Sequence, residues 1–110
     1  MGKIYDGVAS SKAISSTYVT IATVTVPAGS YIVFGISQIS DTSNLIYNLT
    51  IDTQTVRFSG EHGGGAVVTC LVKCTTTKTL ELKMVAGGTP SGIYNSNTRF
   101  QAVKISNDVS

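Results

Sequence analysis

The side chains that could perform acid–base or metal chemistry are few and scattered. The chain has six carboxylates and one histidine. No two carboxylates stand close enough in sequence to suggest a general acid with a partner base, and a pair formed only in the folded chain stays open. His62 lies in the run Glu61-His62-Gly63-Gly64-Gly65, whose glycines supply no partner for a metal or a catalytic group. We interpret His62 as an exposed loop residue or a receptor contact, and expect no enzyme activity, no metal and no cofactor.

The two cysteines lie four residues apart in the run AVVTCLVKC. If this run is a strand, Cys70 and Cys74 lie on the same face about 13 Å apart. That separation exceeds the ~7 Å limit for the Cα atoms of a disulfide and is too large for both thiolates to bind one zinc ion. We expect small, buried, reduced thiols. An intermolecular bridge near a symmetry axis stays the alternative.

Polar, turn-rich segments offer a different chemistry, that of recognition. Three of them are Asp41–Asn44, Gly60–Gly65 and Gly88–Asn97. Loops carried on a rigid scaffold are where binding residues concentrate, although the last of the three is equally well an ordinary connection. A sugar ligand would need an aromatic ring on which to stack, and Tyr94 or Tyr47 would have to provide it. The candidate binding residues are Asp41, Asn44, Glu61, His62, Tyr94, Asn95 and Asn97.

Length and composition indicate one globular domain covering residues 1–110. The chain is 42% hydrophobic and only 13% charged, with a net charge of +2. It is too apolar to be disordered, and its basic residues form no cluster, so nucleic acid is not expected as a partner. The N-terminal MGKIYDG has no apolar signal region, and no run approaches the ~18 apolar residues of a membrane span, so no membrane insertion is expected. The low charge suggests that part of the surface is covered.

The elements that must carry these residues are strands, because apolar residues recur with a period of two almost throughout. We expect an all-β antiparallel sandwich, since no helix is available to cross over between parallel strands. An eighth, less regular strand falls between Lys3 and Ile14. The seven clear strands are Tyr18–Val26, Gly29–Ser40, Leu45–Ile51, Gln54–Ser59, Ala66–Cys74, Thr79–Val85 and Arg99–Ser106.

The two faces of the strands predict an assembly. In KTLELKMV the apolar residues Leu80, Leu82 and Met84 share one face, which is the pattern of an outer sheet with one solvated side. The segment 29–40 is apolar on both faces, and 66–74 nearly so, which indicates an inner sheet. One face of that sheet packs on the outer sheet, and other copies of the chain would cover the second face. Covering ~1,000 Å² per protomer would contribute on the order of 25 kcal/mol before entropic costs.

The order of these patterns resembles the ten-strand jelly roll shared by tumour necrosis factor and complement globular heads. The resemblance covers residues 18–106 and is carried by three segments, Pro27–Phe34 (PAGSYIVF), Leu80–Met84 (LELKM) and Phe100–Ile105 (FQAVKI). It implies a TNF-like homotrimer whose inner sheets meet on a threefold axis. The residues expected at that interface are Tyr31, Val33, Phe34, Ile36, Arg99 and Phe100.

Within this superfamily, the composition and N-terminus are most similar to a bacteriophage tail-fibre or receptor-binding head, a reading that allows the domain to be one part of a longer fibre protein. The resemblance implies adhesion to a bacterial cell-surface glycan or protein, and location in the virion, in a tail fibre or baseplate, after assembly in the host cytoplasm. A purely structural trimer that clamps a shaft or decorates a capsid or spore coat is the alternative. A secreted cytokine-like ligand is a third reading.

Overall fold

The computed structural model describes residues 2–108, and within them the chain forms nine β-strands and no helix. The strands are β1 Ile4–Asp6, β2 Val8–Ala9, β3 Val19–Val26, β4 Gly29–Ile39, β5 Ile46–Ile51, β6 Gln54–Ser59, β7 Gly65–Cys74, β8 Lys78–Ala86 and β9 Asn95–Ser106.

The strands form two sheets, and all neighbouring strands are antiparallel. One sheet has four strands in the order β1-β9-β4-β7, and the other has five in the order β2-β3-β8-β5-β6. Most connections cross from one sheet to the other, and only β2–β3 and β5–β6 stay within a sheet. The result is a jelly-roll-like sandwich, so the predicted all-β antiparallel fold is confirmed.

The interior is filled by alternate residues of both sheets, as the period of two requires. The inward face of β8 carries Leu80, Leu82 and Met84, and these are buried as predicted. Gly35 lies opposite them in the centre of β4, where the side chain of Leu82 fills the space that a Cβ would need. The other inward residues of the long strands include Ile21, Val24, Val26, Tyr31, Val33, Ile39, Tyr47, Leu49, Ile51, Phe58, Val68, Cys70, Val72, Cys74, Phe100 and Ala102.

Six of the strands, β3 to β8, lie within one residue of their expected bounds, and two differences are informative. The uncertain region between Lys3 and Ile14 becomes two short strands, one in each sheet. Strand β9 begins at Asn95, four residues before the predicted start at Arg99. A β-bulge interrupts its pairing with β4 here, and Asn97 adopts a left-handed conformation (φ 50°). Asparagine tolerates that conformation better than most residues do, which is why a polar stretch typical of a loop can extend a strand.

Candidate functional site

One face of the four-stranded sheet is apolar and exposed. The side chains that point outward from β4 and β7 pair across the sheet, for example Ile32 with Leu71 and Ile36 with Val67. Ile32 also pairs with Val103 of β9, which extends the surface toward β1. This surface, the apolar face, consists of Ile4, Ile32, Phe34, Ile36, Val67, Leu71 and Val103. Five of its members are between 39% and 73% exposed, so other elements of the described chain leave much of it uncovered.

A few polar groups interrupt the apolar face. Gln101 Nε2 donates to Asp6 Oδ1 at 2.7 Å, and these two residues pair across β9 and β1. Gln101 also lies opposite Phe34, whose other neighbour is Thr69. Arg99 is exposed and lies opposite Ile36. The polar groups therefore flank Phe34 on the neighbouring strands, and the apolar side chains stay continuous along β4 from Ile32 through Phe34 to Ile36.

The structure corrects half of the expected interface. Tyr31, Val33 and Phe100 point into the sandwich, are at most 3% exposed and belong to the core of the chain itself. Tyr31 Oη donates to the carbonyl of Pro27 at 2.7 Å, which fixes the inward direction. Because these side chains have no free surface, they are not available to a partner. Phe34, Ile36 and Arg99 are on the outward face.

The three polar segments predicted to bind lie together at one end of the sandwich. We call this the loop end, and it is formed by residues 10–18, 40–45, 60–64 and 87–94. Backbone bonds join its segments: Ser43 N donates to Gly60 O at 2.8 Å, and Ser40 N donates to Tyr94 O at 2.8 Å. Ile14 N donates to Ile93 O at 2.9 Å, which joins the β2–β3 connection to the β8–β9 connection. The loop end is thus one continuous surface rather than four separate turns.

Four of the candidate binding residues line one side of the loop end and are exposed there: Asp41, Asn44, Glu61 and His62. The last three border a shallow depression together with Thr42 and Ser43. Asp41 Oδ1 accepts from the backbone N–H of Thr42 at 2.7 Å, so this carboxylate is fixed by its own turn. His62 has φ 62° and is followed by Gly63 at φ 67°, which makes the tip a tight left-handed turn. This side of the loop end therefore offers a ligand exposed polar groups on an open surface rather than in an enclosed cavity.

The remaining candidates divide between surface and core. Tyr94 and Asn97 are exposed, and Asn97 Nδ2 donates to Gln38 Oε1 at 2.6 Å. Asn95 is buried, so it is not a contact residue. Its Oδ1 accepts from Lys12 N at 2.7 Å, and its Nδ2 donates to Ser10 O at 2.9 Å and to Thr98 Oγ1 at 2.8 Å. Its role is to anchor the β2–β3 connection.

The second aromatic ring considered for sugar stacking is also in the core. Tyr47 has no exposed surface, lies against Phe58 with the ring centroids 5.5 Å apart, and donates from Oη to Ser43 Oγ at 2.8 Å. Tyr94 is therefore the one of the two that a ligand could reach.

Both cysteines are free and buried on the inward face of β7, as expected from their spacing. Burial raises the pKa of the Cys70 thiol, and the nearby Asp52 carboxylate raises it further. Burial also raises the pKa of the Cys74 thiol, an effect that the Lys78 ammonium partly opposes. Both thiols stay protonated at neutral pH and face the core, which leaves them without a role in linking copies of the chain.

The described ends of the chain lie away from the loop end. Gly2 N donates to Lys104 O at 2.8 Å, and the carbonyl of Asp108 accepts from Ser30 Oγ at 2.6 Å. Both contacts are at the start of β4, whereas the loop end is where β4 finishes. The sandwich therefore has a terminal end, marked by Gly2 and Asp108, and an opposite loop end.

Three further observations bear on the site. Across residues 2–108, no group of three His, Cys, Asp or Glu side chains is arranged to hold a metal ion. The same part of the chain contains no helix that could cross a membrane. No protein-family model matches the sequence, and no curated protein matches it.

Surface residues that the sequence interpretation did not include in the interface are Ile4, Ile32, Val67, Leu71 and Val103. Alternation along AVVTCLVKC is enough to put Val67 and Leu71 on the face of β7 opposite the cysteines. What was missing was the pairing of β7 with β4 and of β9 with β1, which places these residues beside Phe34 and Ile36. Pairing partners are contacts between distant segments, which a local pattern does not specify.

Proposed function

We propose that the protein is a homotrimeric binding head of the bacteriophage tail-fibre or baseplate type, which adheres to a bacterial cell-surface glycan or protein through its loop end. The observation that carries this proposal is the apolar face. An exposed, contiguous apolar surface on a small domain marks an interaction site. A second and third copy of the chain would cover it around a threefold axis, with Phe34, Ile36 and Arg99 among the contacts.

Self-association is favoured over a different partner by the composition of this face. The ionic groups on this side of the sheet are few and of both signs, namely the Asp6 carboxylate, the Arg99 guanidinium and the Lys73 ammonium on β7, so a copy of the chain can meet it with unlike charges opposed. Burying ~1,000 Å² per protomer would contribute on the order of 25 kcal/mol before entropic costs. The two-sheet jelly-roll-like fold agrees with the resemblance to trimeric tumour necrosis factor and complement heads, although nine strands are described rather than ten.

Recognition by the loop end is supported by its position and its surface. It lies opposite the terminal end, so a fibre joined at that terminal end would present the loops outward. Exposed side chains of several kinds meet there, including Asp41, Glu61, His62 and Tyr94. Three tethered weak sites can bind ~10²–10⁴ times more strongly than one, so shallow individual sites suffice.

The proposal is tested in two stages on the purified chain. Light scattering coupled to size-exclusion chromatography should give the mass of three chains of 11.5 kDa each. Fluorescently labelled protein should then bind to intact bacteria from a panel of species, and Tyr94→Ala together with Glu61→Ala should reduce that binding. Val8→Ala, on the exposed edge strand β2, is the control. A monomeric wild type, or binding that is indifferent to the loop variants, contradicts the proposal.

A purely structural trimer is the second candidate, and one observation favours it. The depression at the loop end is shallow, and of Tyr47 and Tyr94 only the latter is reachable there. A clamp or decoration protein needs the apolar face but no receptor surface. It would give the trimer mass in the first stage and no binding to bacteria in the second.

A further inference from the structure

A groove on the outer surface of the five-stranded sheet results from unequal strand lengths. Strand β5 makes its last pairing with β8 between Ile51 and Leu82, and the chain then turns at Asp52 into β6. Strand β8 extends beyond this point from Lys78 to Glu81, where it pairs only with β3. The step between the β5–β6 turn and the extended part of β8 leaves a concave volume of about 530 Å³. This lies within the range of ~300–1,000 Å³ typical of small-molecule sites.

The lining of this groove combines an aromatic ring with several hydroxyl groups. Tyr18 stands at one end, 48% exposed, with its Oη 3.5 Å from Thr50 Oγ1. Thr50 and Thr55 face each other across the β5–β6 hairpin with their hydroxyl oxygens 3.0 Å apart. Thr79 supplies a further hydroxyl at the opposite wall. The ring and the hydroxyls together provide one stacking surface and several groups that both donate and accept hydrogen bonds.

The charges in the groove cancel. Two lysines, Lys78 and Lys83, and two carboxylates, Asp52 and Glu81, line it. Glu81 is held in place by Thr20 Oγ1, which donates to Oε1 at 2.8 Å, and by Lys83 Nζ at 3.8 Å from Oε2. With two positive and two negative side chains the groove has no net charge, so it favours neither an anion nor a cation.

From this combination we infer that the groove binds a short neutral oligosaccharide. A pyranose has an apolar face that can stack on Tyr18 and a ring of hydroxyls that need both donors and acceptors. The threonine hydroxyls and the Glu81 carboxylate supply acceptors, and the Lys78 and Lys83 ammonium groups supply donors. The site is on the sheet opposite the apolar face, and Tyr18 is the one residue that it shares with the loop end, so it depends neither on trimer formation nor on the contacts proposed for Asp41, Glu61 and Tyr94.

The inference is tested by nuclear magnetic resonance titration of ¹⁵N-labelled protein with four neutral probes: maltose, cellobiose, lactose and di-N-acetylchitobiose. At least one should shift the amide signals of residues 18, 50–55 and 78–83 with a dissociation constant of about 1 mM or tighter. Tyr18→Ala should weaken that binding about threefold to tenfold, the amount expected for loss of one stacking ring. Thr50→Val is a second variant that should also weaken it.

The control is Val8→Ala, which truncates a side chain that is 72% exposed on β2, in the same sheet but outside the groove. It should leave the titration unchanged. Absence of shifts with all four probes overturns the inference, as do shifts confined to the loop end or stronger binding of galacturonic acid than of every neutral probe. A monomeric chain that still binds at the groove would contradict the proposed trimer and leave this inference intact, so the two failures are distinguishable.

Discussion

Leu71→Glu separates assembly from folding better than any other change on the apolar face. Leu71 is 73% exposed within the chain, on the outward side of β7. Replacing an exposed side chain changes the free energy of unfolding by no more than ~0.5 kcal/mol in most cases. The single chain should therefore fold as before, and any large effect must come from contacts with other copies.

The effect on the trimer follows from the exposed fraction. Full burial of a leucine side chain contributes ~1.5–3 kcal/mol, and about three quarters of that is left for a partner, so three copies lose ~3–6 kcal/mol per trimer. Because the midpoint concentration of a trimer varies as the square root of its dissociation constant, this loss raises the midpoint about tenfold to a hundredfold. Burying an unpaired carboxylate costs several kcal/mol more at each copy. Dissociation at micromolar concentration is the expected result.

The assay is sedimentation equilibrium over a dilution series, with circular dichroism to verify that each variant is folded. Val8→Glu is the matched control, because Val8 is 72% exposed but belongs to β2 in the other sheet. Val8→Glu should remain trimeric, whereas Leu71→Glu should be a folded monomer. Equal masses for the two variants would refute the assignment of the apolar face as the interface.

Three further predictions concern the single chain. Gly35→Val forces a side chain into the space occupied by Leu82 and should lower the free energy of unfolding by ~1–3 kcal/mol, measured by urea denaturation; an unchanged midpoint would contradict the packing described for β4. Asn95→Ala removes three buried hydrogen bonds and should lower the free energy of unfolding by ~1–3 kcal/mol. The folded fraction of this variant should bind to bacteria as the wild type does. Lost binding at unchanged stability would instead make Asn95 a contact residue. Burial raises the pKa of both Cys70 and Cys74, so above the ordinary thiol pKa of ~8.5 the unfolded chain loses protons that the folded chain keeps. The free energy of unfolding should therefore fall above that pH by up to ~1.4 kcal/mol per pH unit for each thiol. A free energy that does not change with pH, or the same pH dependence in the Cys70→Ala/Cys74→Ala double variant, would contradict this prediction.

Much of the fold follows from the sequence because a strand with one solvated face records its orientation locally. In β8 the alternation of Leu80, Glu81 and Leu82 identifies the inward side, and the structure agrees. Turn chemistry likewise limits most strands to within one residue of their observed bounds. Strand β9 is the exception, since Asn95 and Asn97 are residues typical of loops and their role depends on partners far away in sequence.

The candidate site was predictable as a set of loops but not as a surface. The sequence identifies the segments around Asp41, Glu61 and Tyr94 by their polar composition. Their meeting at one end depends on backbone bonds such as Ser43 N to Gly60 O, which span many residues. The outer groove could not be foreseen either, because it depends on where the pairing of Ile51 with Leu82 stops.

Strand β4 explains why the expected interface was half wrong. Both of its faces are apolar, so alternation, which identifies the inward face of β8, does not show which face of β4 points inward. Its inward face includes Tyr31 and Val33, and its outward face includes Phe34 and Ile36, so hydrophobicity alone does not choose between the two directions. Two contacts decide the matter: Leu82 fills the space above Gly35, and Ser37 Oγ lies 2.8 Å from Thr98 Oγ1 within the bulge of β9. A sheet that carries apolar side chains on its outward face as well as toward its own core gains stability from a partner that covers the outward face, and this is the physical basis for expecting an assembly.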